Sequence, residues 1–545
     1  MVKFVRLLVA ANGCIVIIST MYRVEQKING QIYVYEVTSY WDSEKKQPRQ
    51  KRVYLGRKDK TTGEIVDTRR PTSSPVGSLS YGTACVLKSV VQHLSLDRVL
   101  SEVFPEHYRL YLYLASFKVA TGEPFYLYPY WVESSYLPTE AKIEPQRISE
   151  ILSNLGSEEK RIEDFFRAWI RQHNGGSAVM FDITSVSSYS ENNDLLEYGY
   201  NRDKEQLPQV NLGVVSKHSE SCNLPLAYRV YSGSVTDVVT LSNVIKMIDE
   251  YQLSLESFVM DRGFFSQENI KQMHGKGLKF LIPVPFRLLQ AREILRQVEE
   301  EINSPLSTFS YKNAQIYNHT KQKVRINQVP CVAHIYLDKS KQAREEAVLM
   351  QKILDIEMLL PGKYFKTLQQ VEDYLEETLK TKKKFFKAKK VRGKFILVRN
   401  LPEIDAERML LGKFMIVTNN PQLTKDQVLA LYRSKDGIEK LFLSWKQELG
   451  EKRTRTKSEA TMRGSLFINF LALIITAHMT QVMTEKNIFK KLTKSELFKT
   501  LNKLKVFQLA NSKQLLAEVT ARQKEIFAAF NVSNFDQPSY KSTGF

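Results

Sequence analysis

Residues 178–184 read Ala178-Val179-Met180-Phe181-Asp182-Ile183-Thr184, and residues 258–263 read Phe258-Val259-Met260-Asp261-Arg262-Gly263. Each is a compact apolar run of strand length that meets an aspartate. Runs this short and continuous predict strands buried on both faces. A carboxylate within such a strand is costly if it is buried without compensation. Each aspartate must therefore sit at a strand mouth, be paired, or bind a cation. Taken singly, either one also reads as a helix cap or turn former. Repetition of the arrangement weakens that second reading without removing it.

Between the two runs lie strand-like stretches at Val210 to Val215 and Leu226 to Tyr231, then an amphipathic helix from about Val238 to Tyr251. A further helix and the strand Phe280 to Val284 follow Asp261. Three consecutive strands followed by alternating helix and strand predict an α/β fold, a mixed sheet with helices on its faces. Upstream, from Thr83 to about Gln172, the periodicity is helical, as in Ile148 to Leu155 and Ile162 to Ile170, until Gly175 and Gly176 interrupt it. Still earlier, Tyr33 to Val37 and Arg52 to Leu55 are β-like, and Ser73, Ser74, Pro75 and Gly77 read as a linker. Downstream, about 287–411 mixes strand-like pieces such as Val332 to Leu337 with charged helices. Phe414 to Thr418 reads as a strand, about Lys425 to Leu449 as one helix, and the tail after Glu485 as basic and helical. The resulting divisions are 1–20, 21–72, 73–175, 176–286, 287–411, 412–485 and 486–545.

The helix after Lys425 carries the sharpest pattern. Tyr432, Lys435, Glu439 and Lys446 are spaced by three, four and seven residues, within about 60° of one another on an ideal helix. Leu431, Ile438, Phe442, Trp445 and Leu449 form an adjoining apolar stripe. One side can pack on a sheet while a narrow stripe presents an acid between two cations. An ordinary amphipathic helix with i,i+4 charge pairs gives the same pattern. Phosphodiester cleavage gives it a chemical sense: carboxylates are natural ligands of paired Mg²⁺ ions, and nearby cations and a tyrosine hydroxyl hold phosphates.

Composition agrees with a polyanionic partner. The 545 residues include 79 Lys and Arg against 59 Asp and Glu, a net charge of +20. Two basic runs stand out. Eight bases lie between Lys45 and Lys60, opposed there only by Asp59, and nine bases without an acid lie between Lys380 and Lys394. The first reads as a solvated hairpin edge or a DNA contact. The second reads as a solvated helix face or, with Phe385 and Phe386 interleaved, a phosphate-facing surface. Cys14, Cys85, Cys222 and Cys331 form no C-x-x-C pair, which excludes a zinc ribbon and a disulfide framework and fits a reducing, cytoplasmic setting. Residues 1–20 imitate a weak signal peptide but lack a clear cleavage site, so they read as a leader or an upstream-start artefact. The apolar stretch Leu466 to Met479 is short for a membrane span and reads as a buried helix.

Tyr432-x2-Lys435-x3-Glu439-x6-Lys446 resembles the Y-x2-R-x3-E-x6-K signature of insertion-sequence DDE transposases of the IS-four-like superfamily. The resemblance extends through Asp182-Ile183-Thr184, Tyr198-Gly199-Tyr200, Leu207-Pro208-Gln209-Val210, Leu212-Gly213, Gly233, Asp237 and Asp261-Arg262-Gly263-Phe264. It covers about 175–485, and the basic N-terminal hairpin is also similar to this group.

The resemblance implies a ribonuclease-H-like core in which Asp182, Asp261 and Glu439 are catalytic and hold the metal, Mg²⁺ by default with Mn²⁺ as a substitute. Lys435, Lys446 and Tyr432, with Arg262, would contact DNA, and 73–175 would help bind DNA ends. Glu439 lies 178 positions after Asp261, a gap matching the large insertion, often β-rich, that this superfamily places before its glutamate helix. The family's arginine is Lys435 here, which keeps the charge but loses the bidentate fork. The function implied is a transposase acting on double-stranded DNA, both the element's terminal inverted repeats and target DNA, with no membrane association and as a homodimer in the active complex. A different ribonuclease-H-like nuclease, or a catalytically inactive DNA-binding protein, are the rival readings.

Overall fold

A computed structural model of the chain describes residues 4–5, 20–42, 45–59, 63–66, 75–175, 178–190, 193–218, 222–312, 314–358, 363–509, 514–533 and 535. Most of the leader 1–20, Lys60, the linker residues Ser73 and Ser74, Gly176 and the end of the tail lie outside them. The described residues fall into two compact units, 1–78 with 506–517, and 79–505 with 518–545.

In the smaller unit the β-like runs become long strands, Gln31–Asp42 and Gln47–Lys58, at the middle of a five-stranded antiparallel sheet. Val34 and Val37 are buried, whereas Arg49, Lys51 and Arg52 are exposed along the basic strand. Part of the tail expected to be helical is also extended, at Lys505–Leu509 and Gln514–Leu516, where Val506, Phe507 and Leu515 favour a strand.

The larger unit is built on one mixed sheet. Its strands in chain order are β1 (Ala178–Ser188), β2 (Gln209–Lys217), β3 (Leu224–Ser232), β4 (Ser257–Met260), β5 (Phe280–Val284), β6 (Thr308–Tyr311), β7 (Ala314–Ile326) and β8 (Val329–Asp338). A separate hairpin, β9 (Phe386–Val391) and β10 (Lys394–Arg399), precedes β11 (Lys413–Thr418) and the short β12 (Arg453–Thr454). The spatial order is β6-β7-β8-β11-β5-β4-β1-β2-β3, with β12 pairing with β1. β1 to β3 form an antiparallel meander, and β4 is parallel to both β1 and β5. The long stretch after β5 does not build a detached β domain. Its strands β6 to β8 extend the same sheet through β11, which bonds to β5 on one side and β8 on the other.

Helices cover the sheet because the central strands are apolar on both faces. α1 (Pro145–Ser157) and α2 (Glu159–His173) precede β1, and α3 (Asp237–Glu250) links β3 to β4. α4 (Lys339–Glu357) and α5 (Leu401–Arg408) lie in the long insertion. α6 (Lys425–Arg433), α7 (Asp436–Leu443) and α8 (Glu459–Glu485) follow β11. An aromatic cluster ties α2 and α8 to β3: Phe166 meets Tyr228 at 5.2 Å and Phe470 at 5.5 Å between ring centroids, and Tyr228 meets Phe470 at 5.1 Å. α8 is longer than its apolar stretch predicts, and by length and composition it could cross a membrane. Here its middle is a core element, with Leu466 to Ala477 buried throughout.

Burial also makes the fold sensitive to acid. His334 on β8 is buried, pairs through Nδ1 with Thr320 Oγ1 at 3.1 Å, and has no partner for Nε2 among the described residues. Desolvation by burial pushes its pKa down to about 4. The folded state therefore holds neutral imidazole, and this contribution to stability is full above the ordinary histidine pKa. It is lost as pH falls from about 6.5 towards 4, costing about 2 kcal/mol at pH 5. His334→Gln should flatten the fall in melting temperature between pH 7.5 and 5. An unaltered slope would contradict this account.

Candidate active site

The two aspartates meet because of strand register. β4 runs parallel to β1 with Met260 opposite Phe181, so Asp261 and Asp182 stand level on neighbouring strands. Adjacent strands lie about 4.8 Å apart. β4 stops there: Asp261 Oδ1 accepts a hydrogen bond from the Arg262 backbone N–H at 2.6 Å and caps the short turn Arg262–Phe264. β1 continues to Ser188, and on the side of β4 its next strand partner among the described residues is β12, which pairs at Ser187 and Ser188. A gap in the sheet is left alongside Asp182 to Val186.

The third acid arrives from α7. Gly437 lets this helix approach the sheet, since a β-carbon there would fall 2.6 Å from the buried side chain of Asn223. The Lys435 ammonium lies 3.2 Å from Asp261 Oδ1 and 3.0 Å from Glu439 Oε1. Lys435 is 16% exposed, Asp261 38% and Glu439 58%, so the cation is enclosed while the acids open outward. Among the described residues no three His, Cys, Asp or Glu side chains converge closely enough to enclose a metal ion. The lysine stands between two of the carboxylates instead.

Charge and burial shape these groups differently. Burial pushes the Asp182 carboxyl up to about 6, against the opposing pull of Lys435 and the Ile183 N–H that it accepts at 2.9 Å. Burial opposes the charge on Lys435, but Asp261, Asp182 and Glu439 outweigh it and hold the lysine firmly protonated. Burial, then the charge of Asp261, raises the Tyr432 hydroxyl.

The expected single helix is broken. α6 ends at Arg433, Ser434 turns its hydroxyl back to the Leu431 carbonyl at 2.6 Å, and α7 begins at Asp436. Residues 444–448 then form a π-helical turn. Ideal periodicity therefore does not place Lys446 on the same stripe as Lys435 and Glu439. Lys446 pairs instead with Asp203 at 2.6 Å, both partners largely covered. Tyr432 is half-buried against Phe414, and Arg262 is exposed beside Asp261. The sequence did not single out Asp203, nor Arg202, which pairs with Asp237 at the start of α3. Their one signal was adjacency to Tyr198-Gly199-Tyr200.

That motif and Gly233 form a tight crossing. A β-carbon on Gly199 would lie 2.0 Å from the Gly233 carbonyl oxygen, and one on Gly233 would lie 2.1 Å from that of Glu197. Buried Gln209 donates to the Tyr200 carbonyl at 3.0 Å, and Asn211 donates to the Gly233 and Val235 carbonyls at 3.1 Å each. Gly199, Gln209 and Gly233 of the motifs, with Asn211 between them, fix the segment that presents Arg202 and Asp203.

The family model described as a transposase DDE domain matches residues 173–475. No curated protein matches the chain. Among solved structures, a cryo-EM piggyBac transposase synaptic complex with hairpin DNA is similar at 10% identity, covering 87% of this chain and 80% of that one. Its TM-score of 0.32 is too low to carry an argument about the site. The family match spans more than half of the chain and contains both aspartates, the glutamate and the sheet that gathers them: the chain belongs to the DDE transposase family.

Proposed function

We propose that Asp182, Asp261 and Glu439 are the catalytic, metal-holding carboxylates of a transposase that cleaves the terminal inverted repeats of its element and joins the freed strand ends to target DNA. The observation that carries this reading is the level placement of Asp182 and Asp261 on parallel strands, with Lys435 linking Asp261 to Glu439. The order β3-β2-β1-β4-β5, an antiparallel meander followed by parallel strands, supports a ribonuclease-H-like core. The donor set fits a hard divalent ion: three carboxylates, with an ammonium already standing in as the cation between two of them. Bound there, Mg²⁺, or Mn²⁺ in its place, would supply an activated water and stabilise charge on the entering and leaving oxygens.

The chain's own residues do the remaining work. Lys435 offsets repulsion among the acids and keeps positive charge where a phosphate would dock. Lys446, held by Asp203, together with Arg262 and the Tyr432 hydroxyl, would offer further phosphate contacts. The compact ammonium of Lys435 reaches both acids, so the absence of arginine's fork does not dismantle the site. Lys435→Gln should lower cleavage by about 10²-fold, with Lys435→Arg retaining most activity. Equal rates for Lys435→Gln and the parent would remove Lys435 from the mechanism. Use of two element ends would require a homodimer during the reaction.

The functional test is strand-specific cleavage and joining of labelled element-end DNA with Mg²⁺, in the parent and in Glu439→Gln. Joined products from the parent alone support a transposase. Cleavage without joining would indicate a nuclease, and binding without either reaction an inactive DNA-binding protein.

A further inference from the structure

The second basic run begins in a 3-10 helix, Lys380–Phe385, and continues as a β hairpin. β9 and β10 form a two-stranded sheet, and Phe395 of β10 also exchanges backbone hydrogen bonds with Phe365 at 2.8 and 2.9 Å. Their turn places Arg392 at φ 49° and Gly393 at φ 78°, the positive angles of a tight hairpin turn. Arginine at the first of these positions is unusual, because left-handed backbone is avoided by residues carrying a β-carbon. Phe385 and Phe386, read as interleaved with the bases, are buried in a small core with Leu349, Ile353, Ile356 and Ile404. They anchor the root of the hairpin on α4 and α5.

Opposed residues share a face in an antiparallel pair. Lys387 with Val398, Lys389 with Ile396, and Val391 with Lys394 lie on one face. Ala388 with Leu397 lies on the other, and Leu397 packs against the small core. The lysine face therefore points away from it. At the root, charges are neutralised: Lys383 by Glu376, Lys384 by Glu407, Arg399 by Glu357 and Arg408 by Glu346. Towards the tip they are not. Lys387, Lys389, Arg392 and Lys394 are exposed, and none has an acidic partner among the described residues. No acid occurs in the sequence between Glu377 and Glu403.

We propose that the β9–β10 hairpin is a second DNA-contacting surface, separate from the carboxylate cleft, whose Lys387, Lys389, Arg392 and Lys394 bind the phosphate backbone of duplex DNA. Alternate residues along a strand stand about 6.7 Å apart, a spacing that lets successive lysines address successive phosphates. This column of cations, without an acidic partner among the described residues and with only the Tyr364 ring set against Lys394, is complementary to a polyanionic rod. The proposal rests on the reading that this chain acts on DNA.

The test is the salt dependence of binding to a labelled mixed-sequence duplex of about 30 base pairs, measured on the full chain by fluorescence anisotropy. The hairpin variant carries Lys387→Ala, Lys389→Ala, Lys394→Ala and Arg392→Asn, the last chosen because asparagine tolerates the turn. A charge-matched control replaces the exposed Lys246, Lys271, Lys499 and Lys524 with alanine. The hairpin variant should bind at least tenfold more weakly, with the slope of log affinity against log salt shallower by about 3. The control should stay near the parent. Equal slopes for parent and hairpin variant, or equal losses in variant and control, would overturn the proposal while leaving the cleft reading intact. A parent that does not bind duplex DNA would overturn both. An unchanged melting profile for the hairpin variant shows that any loss is one of contact.

Discussion

Asp261→Ala should lower metal-dependent DNA cleavage by at least about 10³-fold while leaving the melting temperature and duplex affinity nearly unchanged. The expectation follows from its setting. Asp261 directly follows β4 beside Asp182, is 38% exposed and fills no core space, so truncation opens no cavity. Removing one negative charge from a basic protein does not weaken its attraction for DNA. Asp182 differs because it is enclosed. Its carboxyl is shifted up to about 6 by burial, so the fold favours its protonated form. The resulting penalty is absent below about pH 4, grows between 4 and 6, and is full above that range. In metal-free buffer Asp182→Asn should therefore be inactive yet more stable than the parent at pH 7, by about 1–3 kcal/mol, with no gain at pH 4. Loss of activity accompanied by unfolding in both variants would instead assign the aspartates a structural part.

Gly464→Ala should cost at least about 3 kcal/mol of stability. α1 and α8 cross at two glycines, with backbone against backbone. A β-carbon on Gly464 would lie 1.9 Å from the Leu152 carbonyl oxygen, and one on Gly156 would lie 1.7 Å from that of Ala460. Neither obstacle is a side chain that can rotate away, so the helices must separate. Separation would loosen the packing of α8, which carries Phe467 and Phe470 against α2 and β3. It would also disturb β12 just before α8, where Arg453 pairs with Glu205. Chemical denaturation of Gly464→Ala and Gly156→Ala reads this directly. A midpoint equal to the parent's would show that the crossing is less tight than these distances state.

The sequence made the aspartates legible because each lies in an unbroken apolar run, and a carboxylate in such a place demands a reason. The meander, the helix after it and β4 followed from local periodicity. What remained hidden depended on non-local geometry. Nothing in the sequence specifies that β11 bonds to both β5 and β8, so the long insertion did not show that it would extend the central sheet. Spacing from Tyr432 to Lys446 assumed one regular helix, whereas Ser434 breaks it and a π-helical turn displaces Lys446 towards Asp203. The run from Lys380 to Lys394 read as a solvated helix face or a phosphate-facing surface, because its apolar residues are few and its hairpin pairing is not visible in the sequence. Phe385 and Phe386 turned out to anchor a hairpin, and Arg392-Gly393 to close it. Gly199 and Gly233 were visible only as motif residues, and their purpose lies in a backbone crossing.

The most direct test of the carboxylate site is Mn²⁺ binding to the DNA-free protein, followed by electron paramagnetic resonance at pH 7.5 with Mg²⁺ as competitor. The account predicts saturable binding to the parent, displaced by Mg²⁺, and at least tenfold weaker in both Asp182→Asn and Asp261→Ala. Equal Mn²⁺ affinity in the parent and these two variants would contradict it.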